Sequence, residues 1–461
     1  MKERGQIFLA ILMLIIVAGI AAFYTFFSPS SVRLENEKGT QKILLEAKEA
    51  LIGFAAASSL RPGQLPCPDT NNDGDAEPLN GAGDCPNTIG RLPWRTLGLD
   101  DPRDAASERL WYAVSVYFSS NPPTATCPLS VPADPSPTKC YLNSDTKGDL
   151  TVYQDSTATV ITSNAVAVIF APGLPIAGQV RDAANSNNPA NYLDVTGTIN
   201  NATPAANPLP PSFVRAESNA TFNDRVLVID TSILMPVVEQ RVAREILGKL
   251  KQYKDAIGVY PWPDCSDGKS DDDYVNRGRV PWRIASLPPS GYTYPLDWGS
   301  GGAPFLPGWI STAQPGWFIN NYWSWVIYYA VGKDYLQSSA ALRPPWTPGG
   351  IECAAFSCVD PTLTVTGLGS KEVVIIMAGP AGARPTPDTP RPDPANPPGA
   401  SSYCSDTVWG LYLDDSSNIK REPRSDNVPL TYATDDTYAV PVSGAYARDR
   451  MYFCPGTPGI C

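Results

Sequence analysis

The pentapeptide Arg91-Leu92-Pro93-Trp94-Arg95 recurs as Arg279-Val280-Pro281-Trp282-Arg283. No other feature constrains the fold more, because two copies of one pattern demand two copies of one structural plan. Each copy follows a related loop, Pro66-Cys67-Pro68-Asp69 in the first half and Pro261-Trp262-Pro263-Asp264 in the second. Each loop follows an amphipathic segment, with Ile43, Leu44, Ala47, Ala50, Leu51 and Phe54 in the first copy. Val238, Val242, Ile246, Leu250, Tyr253 and Ile257 form the second. Steps of three and four residues describe one apolar helical face.

Downstream the order continues. Trp111-Tyr112-Ala113-Val114 is echoed by Tyr328-Tyr329-Ala330-Val331, and β-branched runs follow at 165–171 and 373–378. Such runs, ended by Pro and Gly, read as buried strands. An Asp-Arg pair opens a last strand in both copies, Asp224-Arg225 and Asp449-Arg450. The repeat therefore predicts two modules, 36–234 and 235–461, each a long helix with an antiparallel sheet and extended loops. Trp94 should superpose on Trp282, and Val168 on Ile375. The proline-rich stretches 200–211 and 384–398 fall at matching places and read as surface loops.

The chain opens with the charged leader Met1-Lys2-Glu3-Arg4-Gly5, followed by an uncharged stretch from Ile7 to Phe27. At about 1.5 Å per residue this stretch makes a helix of roughly 30 Å, the thickness of a bilayer's hydrocarbon core. It is expected to be a single transmembrane anchor with a cytoplasmic N-terminus. All ten cysteines lie beyond it, and they lack the C-x-x-C spacing or histidine co-ligands of a metal site, so disulfides are expected. The local pairings are Cys67 with Cys85, Cys127 with Cys140, and Cys353 with Cys358. A net charge of −11 argues against nucleic acid as a partner.

Histidine is wholly absent, which excludes Ser-His-Asp and Cys-His nucleophile systems and zincin motifs. A carboxylate-only hydrolase remains formally open, but no spacing singles out a pair, and the chain is expected not to be an enzyme. The best chemical candidate is the loop Asp69, Asn71, Asp73 and Asp75, where side-chain oxygens alternate and Gly74 permits a sharp turn. That pattern can wrap calcium, although Asn80 stands where an EF-hand has its bidentate Glu. The alternative is an Asx-rich turn that bonds its own backbone. Trp94 and Arg95, being repeated, are expected in the core, with Trp94 against the helix and Arg95 paired to an acid. Trp317, Phe318, Tyr322, Trp323, Trp325, Tyr328 and Tyr329 belong to an insertion in the second copy. They offer core material or an aromatic surface for a partner or glycan.

The leader ending at Gly5, the apolar helix behind it and the helix-plus-sheet modules resemble the type IV pilin and type II secretion pseudopilin superfamily. The resemblance implies that Gly5 is the last leader residue and Gln6 the mature N-terminus after prepilin peptidase cleavage. Ala10 stands where most members carry a Glu that pairs with a neighbour's terminal amine. Tip-type minor pseudopilins also lack it, are larger and are associated with calcium. A subunit without that Glu cannot neutralise an amine in an apolar filament core, so it suits the end of a filament.

The expected fold class is thus α+β, with an N-terminal transmembrane helix followed by two tandem pilin-like modules. Each module has a long helix packed on an antiparallel sheet and long disulfide-stapled loops. The segments are a leader (1–5), a transmembrane helix (6–27), a linker (28–35) and the modules 36–234 and 235–461. The expected function is that of a non-enzymatic, membrane-anchored minor pilin or pseudopilin-like subunit. It would act in assembly, capping or substrate contact of a type IV pilus or type II secretion system. The alternative is a membrane-anchored extracytoplasmic binding module, a glycan or surface-protein adhesin. Expected partners are other pilin-like subunits and the lipid bilayer through Ile7 to Phe27, without nucleic acid or an identified small-molecule substrate. The expected location is the bacterial inner membrane, single-pass, with the body in the periplasm or on an extracellular filament.

Overall fold

The computed structural model describes residues 11–18, 29–122, 139–155, 159–203, 211–257, 260–261, 263, 277–280, 310–311, 314–315, 317–323, 326–332, 335, 363–379, 437–438 and 450–454. Two sheets dominate. The first holds β1 (Ile89–Arg91), β2 (Trp111–Val114), β3 (Leu150–Gln154), β4 (Thr159–Ala171), β5 (Ser212–Arg215) and β6 (Arg225–Asp230). Its order is β1-β2-β4-β3-β5, and β6 also pairs with the long strand β4. The second sheet has four strands, β7 (Arg277–Arg279), β8 (Ile327–Val331), β9 (Val373–Met377) and β10 (Arg450–Cys454), in the order β10-β9-β8-β7.

The ladder β1-β2-β4-β6 and the ladder β7-β8-β9-β10 share one register. Arg91 faces Trp111 as Arg279 faces Tyr328, and Tyr112 faces Ile169 as Tyr329 faces Ile375. On the far side Ala171 faces Arg225 as Met377 faces Arg450. The register corrects one expected superposition: Val168 faces Ala113, and the residue facing Ala330 is Val374, so Ile375 corresponds to Ile169. A slip of one residue exchanges the two faces of a strand. In the first sheet the distinction is visible, since Tyr112, Ala167 and Ile169 enter the main core while Trp111, Val168 and Phe170 enter a smaller core on the opposite face. Trp282 lies outside the described residues.

The same tyrosine ties each copy's loop to its sheet. Tyr112 donates its hydroxyl to the Pro66 carbonyl at 3.3 Å, and Tyr329 donates to the Pro261 carbonyl at 2.9 Å. Beneath the first loop, an added Cβ at Gly90 would stand 2.6 Å from the Asp69 carbonyl oxygen. Backbone therefore approaches backbone where only glycine fits.

Two long helices complete the core. In α1 (Pro29–Ala57) the buried side chains are Leu44, Ala47, Leu51, Ile52 and Ala55. The short helix α2 (Val116–Ser119) follows β2, and its N-cap Ser115 accepts from the Tyr117 amide. Helix α3 (Thr231–Ile257) buries Leu234, Met235, Val238, Val242, Ile246 and Leu250. Asp230 caps its start by accepting from the Ile233 amide at 3.1 Å. The helices pack on each other; α1 also touches β4 and β6, and α3 touches β4 and β6 of the first sheet and β9 and β10 of the second. One hydrophobic cluster runs from Leu44 on α1 through Ile246 on α3 to Ile375 and Tyr452 in the second sheet. A polar knot adds to the join, with Asn321, just beyond α4 (Trp317–Asn320), at its centre. The Asn321 side-chain oxygen accepts from the Leu142 amide at 3.0 Å and from Arg61 Nε at 3.2 Å, while the Asn143 side-chain amide donates to the Asn321 carbonyl at 2.9 Å.

Two expectations are overturned here. Among the described residues no helix is long and apolar enough to cross a membrane. Of the stretch Ile7 to Phe27, only residues 11–18 are described, as helix. The next helix, α1, carries Glu35, Glu37, Lys38 and Lys42. The single-pass inner-membrane placement and the transmembrane element of the fold class fall with this finding. The expected tandem arrangement, a separate long helix laid on its own sheet in each pilin-like module, is also replaced. The helices pair with each other inside one continuous core, because α3 carries two adjacent apolar rows, one through Leu234, Val238, Val242 and Ile246 and the next through Met235, Ala243 and Leu247, which take cover on more than one side.

Cys67 and Cys85 form a disulfide with a Cα–Cα distance of 5.5 Å. Cys140 and Cys454 are also disulfide-bonded. Cys127, Cys353 and Cys358 lie outside the described residues.

The tyrosine ties are equivalent, so their loss should be equivalent. Tyr112→Phe and Tyr329→Phe are each expected to lower unfolding free energy by about 1 kcal/mol, measured by denaturant titration. A cost confined to one variant would show that the two ties differ in role.

Candidate functional site

The loop proposed for calcium is built from Asx turns. Asp69 is fully buried; its Oδ1 accepts from the amides of Asn71 and Asn72, and its Oδ2 from the amide of Gly74 at 2.7 Å. Asn71 Oδ1 then accepts from the Asp73 amide at 2.9 Å, and Asp73 Oδ1 from the Asp75 amide at 2.8 Å. Thr70 bonds Glu77 through both its amide and its hydroxyl. Each side chain thus caps the backbone two to five residues on, as the Asx alternative requires. Burial raises the Asp69 carboxyl above its usual range, opposed by the backbone donors at Gly74, Asn72 and Asn71. Among the described residues no three His, Cys, Asp or Glu side chains are grouped as metal ligands.

Gly74 has φ +92°, and a Cβ there would meet the Trp94 indole at 2.5 Å. Trp94 therefore lies over this loop, half-buried, and not against the helix. Arg95 is exposed and pairs with Asp75 at 3.1 Å. The buried arginine of the motif is Arg91. Its guanidinium sits 4.3 Å from the Trp111 ring and 4.0 Å from the Tyr192 ring, and it donates to the carbonyls of Arg109 and Ser186. Burial lowers its pKa to about 10, which leaves it charged. The Trp282 and Arg283 counterparts, and the processing residues Gly5 and Gln6, lie outside the described residues.

The described rings of the aromatic insertion belong to the core. Phe318, Trp323, Tyr328 and Tyr329 are fully buried, and Trp317 is nearly so. Tyr322 is half-buried, edge-on to Tyr141 with ring centroids 5.6 Å apart. Trp325 lies outside the described residues. These rings offer no exposed platform for a glycan.

The repeated Asp-Arg pairs acquire a purpose in the structure. Arg225 at the head of β6 pairs with Glu37 of α1 at 2.8 Å, and Arg450 at the head of β10 pairs with Glu239 of α3. In the first copy both partners are solvated, whereas Glu239 is fully buried. Beside it opens a cavity of about 300 Å³ lined by Thr162, Asn164, Asp230, Ser232, Glu239 and Arg450, with Met235 and Pro236 as its apolar wall. Burial is the main cause that lifts the Glu239 carboxyl to about 7, against the attraction of Arg450 and with Asp145 adding repulsion. Sequence reasoning missed Glu239, which reads there as an ordinary polar helix position. The signal available was the Asp-Arg repetition.

No protein-family model, curated protein or solved structure matches this chain.

Asp69→Ala leaves buried amides unbonded and should cost on the order of 3 kcal/mol, whereas Asp73→Ala, at an exposed position, should have a much smaller effect. Thermal midpoints of the parent in EDTA and in excess calcium should coincide. A calcium-dependent rise that disappears in Asp69→Ala would make the loop an ion site instead. For Glu239, the raised folded pKa means that protonation stabilises the fold. That contribution is complete below the unfolded value of 4.5 and is lost as pH rises through about 7. Relative to Glu239→Gln, the parent should therefore gain about 3 kcal/mol between pH 8 and pH 4, read from denaturant unfolding at several pH values.

Proposed function

We propose that this protein is a non-enzymatic assembly subunit of the pilin-like kind, which joins other subunits through its N-terminal apolar helix. The observation that carries the reading is the state of Ile11 to Val17. These consecutive large apolar side chains are between 46% and 73% exposed, while the body of the molecule is closed around its own core. A helix apolar on every face cannot be satisfied by a single groove; it must be surrounded, as happens in the interior of a larger assembly. Helices of neighbouring subunits supply that cover. The leader ending at Gly5 supports the pilin-like assignment, and the missing Glu at Ala10 supports a place at the end of a filament. The absence of histidine, together with the structural engagement of Asp69, Arg91 and Asp224, supports a non-enzymatic role.

Sedimentation of the full-length chain tests the proposal. The parent should associate in a concentration-dependent manner, and the double variant Leu14→Asp, Ile15→Asp should sediment as a monomer with an unchanged near-ultraviolet spectrum. A parent that is monomeric at every concentration would refute the assembly reading. Intact mass measured on protein from its native host should begin at Gln6; a mature start elsewhere would remove the pilin-like part while leaving assembly to stand.

A further inference from the structure

The chain carries the Asn-x-Thr pattern twice, at Asn201-Ala202-Thr203 and at Asn219-Ala220-Thr221, and the structure treats the two in opposite ways. The pattern is an acceptor for glycans on secreted proteins, where the side-chain amide nitrogen takes the sugar and must be reachable from solvent. Asn201 is fully buried. Its Nδ2 donates to the Val214 carbonyl at 3.1 Å and to Asp224 Oδ2 at 2.9 Å, and its Oδ1 accepts from the Val214 amide at 2.8 Å. Both N–H groups are spent, and the side chain serves β5 in place of a neighbouring strand.

Asn219 lies in the loop 216–224 between β5 and β6, where Glu217-Ser218-Asn219-Ala220-Thr221 are all exposed. The turn is fixed from within. The Asn219 backbone amide donates to the Phe222 carbonyl at 2.7 Å, and Phe222 is fully buried. Asn219 Oδ1 accepts from the Thr221 amide at 2.8 Å and from Thr221 Oγ1 at 3.0 Å. Among the described residues its Nδ2 finds one acceptor, the Glu217 carbonyl at 3.5 Å, which is the outer limit of such a bond. The amide oxygen is held, and the nitrogen is left available.

The geometry points to Asn219 as an N-glycosylation site, with Thr221 and Glu217 as the residues that present it. The donor is an oligosaccharide carried on a lipid pyrophosphate, and the catalyst is an oligosaccharyltransferase. Asn219 Nδ2 forms a bond to the anomeric carbon while the bond from that carbon to the pyrophosphate oxygen breaks. The pyrophosphate leaves with the electron pair, and the amide gives up one proton to a base of the transferase. The two Thr221 donors stabilise the charge that Oδ1 takes up as the nitrogen loses its proton. Glu217, two residues before the acceptor, offers the transferase an ionic contact, whereas Ile199 stands at that place before Asn201. The inference does not rest on the assembly reading. It requires export, with which the Cys67–Cys85 disulfide agrees.

Glycopeptide mass spectrometry of the full chain purified from its native host tests the inference. Trypsin releases residues 216–225, which contain Asn219 and Asn223, and residues 182–215, which contain Asn201. The first peptide should carry a glycan, localised to Asn219 by fragmentation of the intact glycopeptide, and Asn201 in the second should be bare. Thr221→Ser keeps the hydroxyl and should remain modified. Thr221→Ala should lose the glycan, and Glu217→Gln should lose most of it. Both positions are exposed, so these variants should keep the near-ultraviolet spectrum of the parent. A bare Asn219, a glycan on Asn201, or a sugar bonded to the Ser218 or Thr221 hydroxyl would overturn the assignment. So would undiminished occupancy in Thr221→Ala or in Glu217→Gln.

Discussion

The structure depends on the burial of α3. A helix with Leu234, Val238, Val242, Ile246 and Leu250 along one line and Met235, Ala243 and Leu247 along the next cannot lie on a single sheet with its back to water. It takes α1 on one side, the first sheet at β4 and β6, and the second sheet at β9 and β10. Sheet order, the register of both ladders and the knot at Asn321 are all arranged around that placement. The hydrophobic term is large here because each fully buried aliphatic side chain contributes about 1.5 to 3 kcal/mol before entropy is counted.

Much of the architecture was legible in the chain. The Arg-x-Pro-Trp-Arg recurrence marks equivalent strand ends because the arginine before Leu92 or Val280 is a ladder residue, paired to Trp111 in one copy and Tyr328 in the other. Helical spacing identified Leu44, Ala47 and Leu51 correctly as inward-facing. The register of the central strand was not legible. Residues 165–171 and 373–377 are buried on both faces, so they show no alternation of polar and apolar residues from which to choose between Val374 and Ile375. Only the pairing of Ala113 and Ala330 fixes it.

The site was less legible for a related reason. Asp, Asn and Gly at alternate positions serve a cation loop and a chain of Asx turns equally well, and what separates them is the direction of the carboxylate oxygens. At Asp69 both oxygens turn inward to amides. Glu239 was hidden because sequence gives a helix one polar face by default, whereas here the loop at Ser144 and Asp145 closes over that face. The transmembrane expectation fails because no helix among the described residues is long and apolar enough to cross a membrane.

The shared core also sets a limit on growth of the repeat. In a solenoid each unit presents the same face to the next, so copies can be added or lost while the array keeps its cohesion. Here the two copies face inward, and the surface that the first would offer to a neighbour is already occupied by α3 and the second sheet. A third copy would find no matching face, and a single copy would leave its half of the core open to water. The duplication is therefore closed at two. Divergence between the halves, such as the solvated Glu37 against the buried Glu239, is the outcome expected once two formerly identical units come to occupy inequivalent environments.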